Sequence, residues 1–465
     1  MPPGAKATNL MNILIINGSP KGQYSTTLHT SLYLELKFPE HHFEYLDAGK
    51  KVNSLAKDFS PALEQIRKAD ILLFSYPVYT FLVPYQLHRF IEGMKASGED
   101  FSGKIATQIT TSKHFYDITA HRFIEDNCAD MRMHFLDGLS ADMDDILTEK
   151  GRRQAEDWLK FVLWKISRKE FKGPPTATRS EPGIQPQMAT VPPTPVSCQD
   201  PKGKRAVIVC DLLPGDAALK AMIDRFAAVF PYHCDIINIE EFPFQGGCLS
   251  CFNCAASGKC VYKDAFDSYL RDTINTHDAL LYAFRIKDHS MGSRFKMYDD
   301  RQFCNGHRTV TMGTPFGYLV AGPYSREENL RLLLEARAQV GGNFLAGVAS
   351  DEGDTNAAID TLAATVAYAL DNAYNPPANF LGVGGMKIFR DLIYMMRGLM
   401  RADHKFFKSH GQYDFPQKKW RTSLAMYPIG WLMGNKKLKA KAGNKMNDGM
   451  IAPYRKMLEN AKANK

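Results

Sequence analysis

The sequence predicts an α/β protein: two tandem doubly wound parallel-sheet domains followed by a basic, mainly helical C-terminal extension. Three observations predict it. Short apolar runs alternate with helical stretches, the alternation restarts after a proline-rich interruption, and the charge balance changes sharply beyond residue 380. Expected boundaries are residues 1–172 for the first domain, 173–202 for a linker, 203–380 for the second domain and 381–465 for the extension.

A chain of 465 residues exceeds one ordinary core, and its 45% apolar content supports globular folding. No run approaches the roughly twenty apolar residues needed to span a bilayer, and the start lacks the pattern of a secretory signal. A cytoplasmic protein is the expectation. The net charge is +8, yet from Leu381 onward eighteen Lys and Arg face five Asp and Glu, so the basic character belongs to the extension.

In chain order, Asn12 to Asn17 is an apolar run ended by Gly18, Ser19 and Pro20, which predicts a buried first strand entering a turn. Lys21, Ser25, Thr26 and Thr27 follow. Such a loop offers amides, hydroxyls and an ammonium to a phosphate; the alternative is an ordinary strand-to-helix turn capped by Ser25. His42 to Leu46, Ile71 to Tyr76 and Lys104 to Ile109 are read as further strands, and Ala62 to Lys68 and Gln86 to Met94 as helices. In a doubly wound sheet, ligands bind beyond the carboxyl ends of the strands. Three polar loops gather there: Gly18 to Thr27, Pro77 to Phe81, and Thr110, Thr111, Ser112 with Lys113. His114 and His121 lie nearby, as proton donors or as surface residues. A helix from Arg152 to Lys165 closes the domain.

Eight prolines between Gly173 and Gly203 predict an extended linker, with Cys198 exposed in it. Lys204 to Cys210 then restarts the alternation, followed by strands at Ile236 to Ile239, Ala279 to Phe284 and Gly317 to Ala321 and helices at Arg326 to Val340 and Ala357 to Leu370. The chain therefore contains a divergent internal duplication. Between Ile239 and Ala279, Cys248, Cys251, Cys254 and Cys260 fall within one short loop. Thiols spaced this closely suit a [4Fe-4S] cluster. A zinc site usually separates two such pairs by a longer excursion, and a loop of structural thiols or the relic of a lost cluster is the remaining alternative. Cys304 is a fifth thiol near the loop or a buried structural one. Ser290 to Lys296 with Arg301 reads as an anion-binding segment or as a basic loop over the cluster.

Asn17 to Lys21 with Ser25 to Thr27, then Tyr76 to Tyr79 and Tyr85 to Ile91, resemble the flavodoxin-like NAD(P)H-dependent FMN reductases over roughly residues 12–164. The resemblance implies FMN held at Ser19, Lys21, Ser25, Thr26 and Thr27, flanked by Pro77, Val78 and Tyr79 and by Thr110, Thr111 and Ser112. Lys21 stands where Arg is commoner. The cysteine loop and the following Val261 to Asp264 resemble the iron-sulfur flavoproteins, implying a [4Fe-4S] cluster on Cys248, Cys251, Cys254 and Cys260 in a second flavodoxin-like domain. That domain departs from the pattern at its first loop, Asp211 to Asp216, which is acidic, and at Arg285 to Asp288, where Pro-Val-Tyr is expected.

Together these readings imply an oxidoreductase passing electrons between NAD(P)H or a ferredoxin-like carrier and a small-molecule acceptor through FMN and the cluster, with no assigned catalytic residue. The alternative is a non-catalytic electron-transfer protein recruited by its tail to a redox partner or membrane surface. Nucleic acid is not an expected partner, since no recognised module accompanies the charge; peripheral membrane contact through the tail and homo-oligomerisation are.

Overall fold

The computed structural model describes residues 10–172, 184–192, 194–196, 203–434 and 445–463. Cys198, much of the proline-rich segment and the lysines from Lys436 to Lys441 lie outside the described residues. The chain divides into two compact units, residues 1–406 and 407–465.

The first unit holds two parallel sheets. In the first, β1 (Asn12–Asn17), β2 (His42–Leu46), β3 (Ile71–Pro77), β4 (Ile105–Ser112) and β5 (His134–Phe135) pair in the order β2-β1-β3-β4-β5, and β6 (Leu139–Asp142) pairs with β4 beyond β5. Helices α1 (Thr26–Lys37), α2 (Val52–Leu55), α3 (Ser60–Lys68), α4 (Tyr85–Ala96), α5 (Ile118–Asp130) and α6 (Glu149–Ser167) connect or cover the strands. β1 and β3 are continuous apolar runs because helices bury both faces of the sheet. Ser25 and Thr148 cap α1 and α6 by accepting from the amides of Leu28 and Gly151.

The second sheet comprises β7 (Arg205–Cys210), β8 (His233–Asn238), β9 (Ala279–Lys287), β11 (Pro315–Ala321) and β12 (Phe344–Ser350) in the order β8-β7-β9-β11-β12, with β10 (Ser290–Met291) antiparallel to β9. This repeats the order of the first sheet, strand for strand. Its helices are α7 (Ala217–Val229), α8 (Asn253–Ser257), α9 (Phe266–Asp272), α10 (Ser293–Arg301), α11 (Glu328–Gly341) and α12 (Thr355–Asn372). Within the described residues 184–192 and 194–196, the proline-rich segment bonds to this domain, Gln187 N donating to Asp351 O at 2.7 Å and Val196 N to Ala228 O at 2.9 Å.

The two domains pack through equivalent helices, α4 on α10 and α5 on α11, so one hydrophobic core runs from Leu14 in β1 to Leu334 in α11. The segment expected to be an anion-binding loop is helix α10. Its cations are committed to internal ion pairs: Lys296 and Arg301 are buried, Lys296 against Asp299 and Asp300 and Arg301 against Asp264. Two further helices, α13 (Phe380–Met395) and α14 (Arg401–Ser409), follow α12. α13 packs on α11, and buried Asp403 accepts from the amide of His307 at 3.0 Å and from Arg308 Nη1 at 3.2 Å.

His289 joins the domains from a second place. Its Nε2 lies 2.9 Å from Asp130 Oδ2 and its Nδ1 3.1 Å from Glu327. Burial alone would lower its pKa, but hydrogen bonds to Asp130 and Glu327 and their charges outweigh that and push it from 6.5 up to about 10. A base whose pKa is raised on folding contributes stability that is complete below its unfolded value and lost as pH rises through the folded one. Denaturant midpoints should therefore fall between pH 6.5 and about 10, and His289→Gln should flatten that slope. An unchanged slope in the variant would remove His289 as the source.

The second unit, taken by itself, contains α15 (Trp420–Gly434) and α16 (Lys445–Ala463), with stacked Tyr413 and Phe415 ahead of a 3-10 turn at Pro416–Lys419. Among the described residues, no helix is long and apolar enough to cross a membrane.

Candidate functional site

At the carboxyl ends of β1, β3 and β4 the first domain presents the three expected loops, and the second domain lays its cysteine loop beside them. The β1 loop is shaped from within. Buried Asn17 donates through Nδ2 to Gly22 O at 3.0 Å and to Asp47 Oδ1 at 2.9 Å, while its Oδ1 accepts from Ser19 N at 3.3 Å. Gly22 has φ +55°, a left-handed conformation that suits glycine, and a Cβ at Gly18 would stand 2.7 Å from Leu87 Cδ2 on α4. Ser19 and Ser25 are buried and accept from the loop's own amides at Lys21 and Leu28. Thr27 is also buried, its hydroxyl 2.5 Å from that of Thr111 on β4, whereas Thr26 is exposed.

Lys21 is half-buried over the Phe252 ring, its Nζ 5.4 Å from the ring centre. Burial lowers its pKa against the opposing pull of Cys251 and Cys248. The cation of the first domain's loop thus stands against the second domain's cysteine loop.

The β3 loop is pinned at both ends. Val78 N donates to Thr111 O at 3.1 Å, and Tyr79 and Leu82 exchange main-chain hydrogen bonds. Thr80 and Phe81 have φ of 46° and 65°, conformations costly for residues with a Cβ. What holds them is Lys296 of α10, whose Nζ donates to Tyr79 O at 3.1 Å and Thr80 Oγ1 at 2.9 Å. The Tyr79 ring is buried edge-on to Phe303 at 5.9 Å, and its phenol bonds to Ser250 in the cysteine loop. Burial holds that phenol well above its usual range, so it stays protonated.

On β4, Thr110 bonds to Asp117 at 3.1 Å and to His121 Nε2 at 2.8 Å. Burial lowers the His121 pKa, so its ring is neutral near pH 7 and orients Thr110. His114 is exposed and paired with Asp145 at 2.9 Å. Ser112 differs from its neighbours: its Oγ is buried without a hydrogen-bond partner. An unsatisfied hydroxyl among these loops is the kind of atom a bound ligand satisfies. The donor set, with Lys21 and the first-turn amides of α1, suits a flavin phosphate.

The cysteine loop is fixed by its neighbours. Gln86 Nε2 on α4 donates to Cys248 O at 3.2 Å, and Arg301 spans Gly246 O and Asp264 at 2.8 Å while stacking 4.4 Å over the Tyr262 ring. Its thiols are not arranged as the expected cluster ligands. Cys254 Sγ is turned to Phe303 O at 2.9 Å, Cys260 Sγ toward Arg301, and Cys251 is exposed. Among the described residues, no three His, Cys, Asp or Glu side chains stand together to hold a metal ion. Burial pushes the Cys254 thiol up to about 11 and the buried Cys304 thiol to about 12.

The second domain's own strand-end loop, Asp211 to Asp216, lacks the hydroxyls of the first. Asp211, directly after β7, is half-buried, and desolvation with Glu240 and Asp216 nearby raises its carboxyl to about 8. Asp216 caps α7 and is paired with Arg285, the residue standing where the first domain has its Pro-Val-Tyr element.

Sequence reasoning missed the Lys296, Asp299, Asp300 and Arg337 cluster that carries the β3 loop. Charges at 296, 299 and 300 have the spacing of one helix face, but their partners Thr80 and Tyr85 are more than two hundred residues away.

The family model Flavodoxin_2, described as a flavodoxin-like fold, matches residues 11–125. No curated protein matches the chain. Similar solved structures include an NAD(P)H:quinone oxidoreductase from Methanothermobacter marburgensis (13% identity, 34% of this chain and 96% of that one, TM-score 0.28). An FMN-dependent NADH-azoreductase from Bacillus anthracis is similar at 12% identity over 33% of this chain and 99% of that one, with a TM-score of 0.27. General stress protein 14 from Treponema denticola, solved with FMN, is similar at 13% identity over 33% and 97%, with a TM-score of 0.28. The first domain, whose residues 11–125 the model matches and whose sheet runs β2-β1-β3-β4-β5, has a flavodoxin-like fold.

Proposed function

We propose that the chain is an FMN-dependent oxidoreductase with one flavin site, in the first domain and covered by the second. The observation that carries this reading is the meeting of the hydroxyl-rich β1 loop, the buried and unsatisfied Ser112 Oγ, and the second domain's cysteine loop at one sheet edge. Ser19, Ser25, Thr26, Thr27 and Lys21 would hold the phosphate, and Pro77, Val78, Tyr79, Thr110, Thr111 and Ser112 would border the ring. FMN, when bound, supplies a hydride acceptor that can release electrons in pairs or singly. Lys21 contributes counter-charge. Phe252, Tyr79 and Phe303 exclude water, and the Lys296 anchor holds the β3 loop in its strained form. No side chain here is set up as a nucleophile, and neutral His121 and the protonated Tyr79 phenol are engaged with Thr110 and Ser250.

The donor is NAD(P)H or a ferredoxin-like carrier, and the acceptor is a small molecule such as a quinone. FMN-loaded protein should oxidise NAD(P)H steadily in the presence of a quinone or dye. Reduction by a ferredoxin without NAD(P)H turnover would instead favour the carrier reading.

A [4Fe-4S] cluster on Cys248, Cys251, Cys254 and Cys260 is supported by the donor types alone, because the thiols as arranged do not form its ligand set. The electron path proposed here therefore runs from donor through flavin to acceptor. Cys254→Ser should leave NAD(P)H:quinone turnover within about twofold of the parent. A fall in turnover accompanied by loss of bound iron would put a cluster on the path.

A further inference from the structure

We propose that α15 is an in-plane membrane anchor that seats the protein on an anionic lipid surface. Trp420, Leu424, Tyr427 and Trp431 recur at i, i+4, i+7 and i+11, which places them on one stripe of the helix. All four are exposed, between 57% and 74%, and on the other face Met426 and Ile429 are exposed at 51% and 46%. A helix of fifteen residues is too short to cross a bilayer, and Pro428 lies within it. It can lie in the headgroup layer, where tryptophan and tyrosine rings bury an apolar body and keep a polar tip hydrated.

Charge selects the occupant. Lys418 and Lys419 precede the stripe, and Arg421 stacks on Trp420 with its guanidinium 5.4 Å from the ring centre. Between Asp414 and Asp448 the sequence has eight Lys and Arg and no Asp or Glu. A second copy of the helix would bring like charges together. An acidic protein would answer the cations but leave two tryptophans, a tyrosine and a leucine uncovered by anything charge alone supplies. A bilayer containing anionic lipid answers both, through acyl-chain contact and headgroup charge.

The test is co-sedimentation of the FMN-loaded full chain with phosphatidylcholine vesicles, with and without phosphatidylglycerol. Binding is expected on the phosphatidylglycerol vesicles only, weakening as salt is raised, with a blue shift of tryptophan emission. Trp420→Ala with Trp431→Ala should abolish both binding and shift. Lys418→Gln, Lys419→Gln and Arg421→Gln together should weaken binding on the order of a hundredfold, since each cation near the surface is worth about fivefold. These positions are exposed, so melting temperatures should stay at the parent value, and Leu424→Glu gives an independent check on the stripe. No binding to anionic vesicles, or binding that survives removal of both tryptophans, would overturn the proposal. So would a concentration-dependent dimer lost with the same two residues, because it would make a second copy the occupant.

Discussion

Asp300→Ala is expected to destabilise the first unit by about 3–5 kcal/mol, the cost of stranding one member of a buried ion pair. Asp300 and Lys296 are each 0% exposed. Lys296 Nζ pairs with Asp300 directly and lies 3.4 Å from Asp299, which is itself engaged by Arg337. Removing Asp300 leaves two cations sharing one carboxylate inside a desolvated interface. Tyr85 N also loses its acceptor at 2.7 Å, at the start of the helix that joins the domains. Urea unfolding of parent and variant reads the change. A loss below about 1 kcal/mol is the range of solvent-exposed pairs, and would mean that water reaches the interface. Lys296→Met combined with Asp300→Leu should recover much of the loss, because apolar residues of similar size often replace a buried pair without cost.

The second large effect concerns the flavin. Lys21→Glu exchanges the loop's counter-charge for a like charge beside the expected phosphate, and like-charge juxtaposition costs several kcal/mol. FMN affinity should fall roughly a thousandfold. The residue is half-buried and makes no buried ion pair with Asp or Glu, so the melting temperature should change little. Ser112→Ala gives a sharper control. Its hydroxyl has no partner in the protein, so its loss costs the folded chain no hydrogen bond, yet FMN affinity should drop by about tenfold. Unchanged affinity in both variants would move the flavin away from this edge.

Much of this organisation is legible in the sequence because it is local. Asn12 to Asn17 and Ile71 to Tyr76 are apolar on both faces, which only a covered parallel strand requires, and the turns after them carry their polar loops in sequence. The acidic loop at Asp211 to Asp216 reads as anion-rejecting from its residue types, but the half-burial that raises the Asp211 carboxyl and the pairing of Asp216 with Arg285 are not visible there. β12 is harder to read, since Phe344–Ser350 is only half-buried and broken by Gly347. α10 reads as a basic anion-binding segment because Lys296 and Arg301 are visible in sequence while their enclosure by Asp299, Asp300 and Asp264 is not. The thiols of the cysteine loop follow a spacing that suits a cluster, but the loop's position is set by Gln86, Arg301 and Phe303. Those contacts join segments far apart in the chain, and no window of sequence contains them.

The duplicated sheet order, with a hydroxyl-rich loop in one domain and an acidic one in the other, makes flavin stoichiometry the most direct test. Chain stripped of flavin and titrated with FMN, followed by quenching of flavin fluorescence, should bind one FMN per chain. Lys21→Glu should bind essentially none over the same range, and Asp211→Asn should still bind one. Two FMN per chain, or one that survives Lys21→Glu and disappears with Asp211→Asn, would contradict a single flavin site in the first domain.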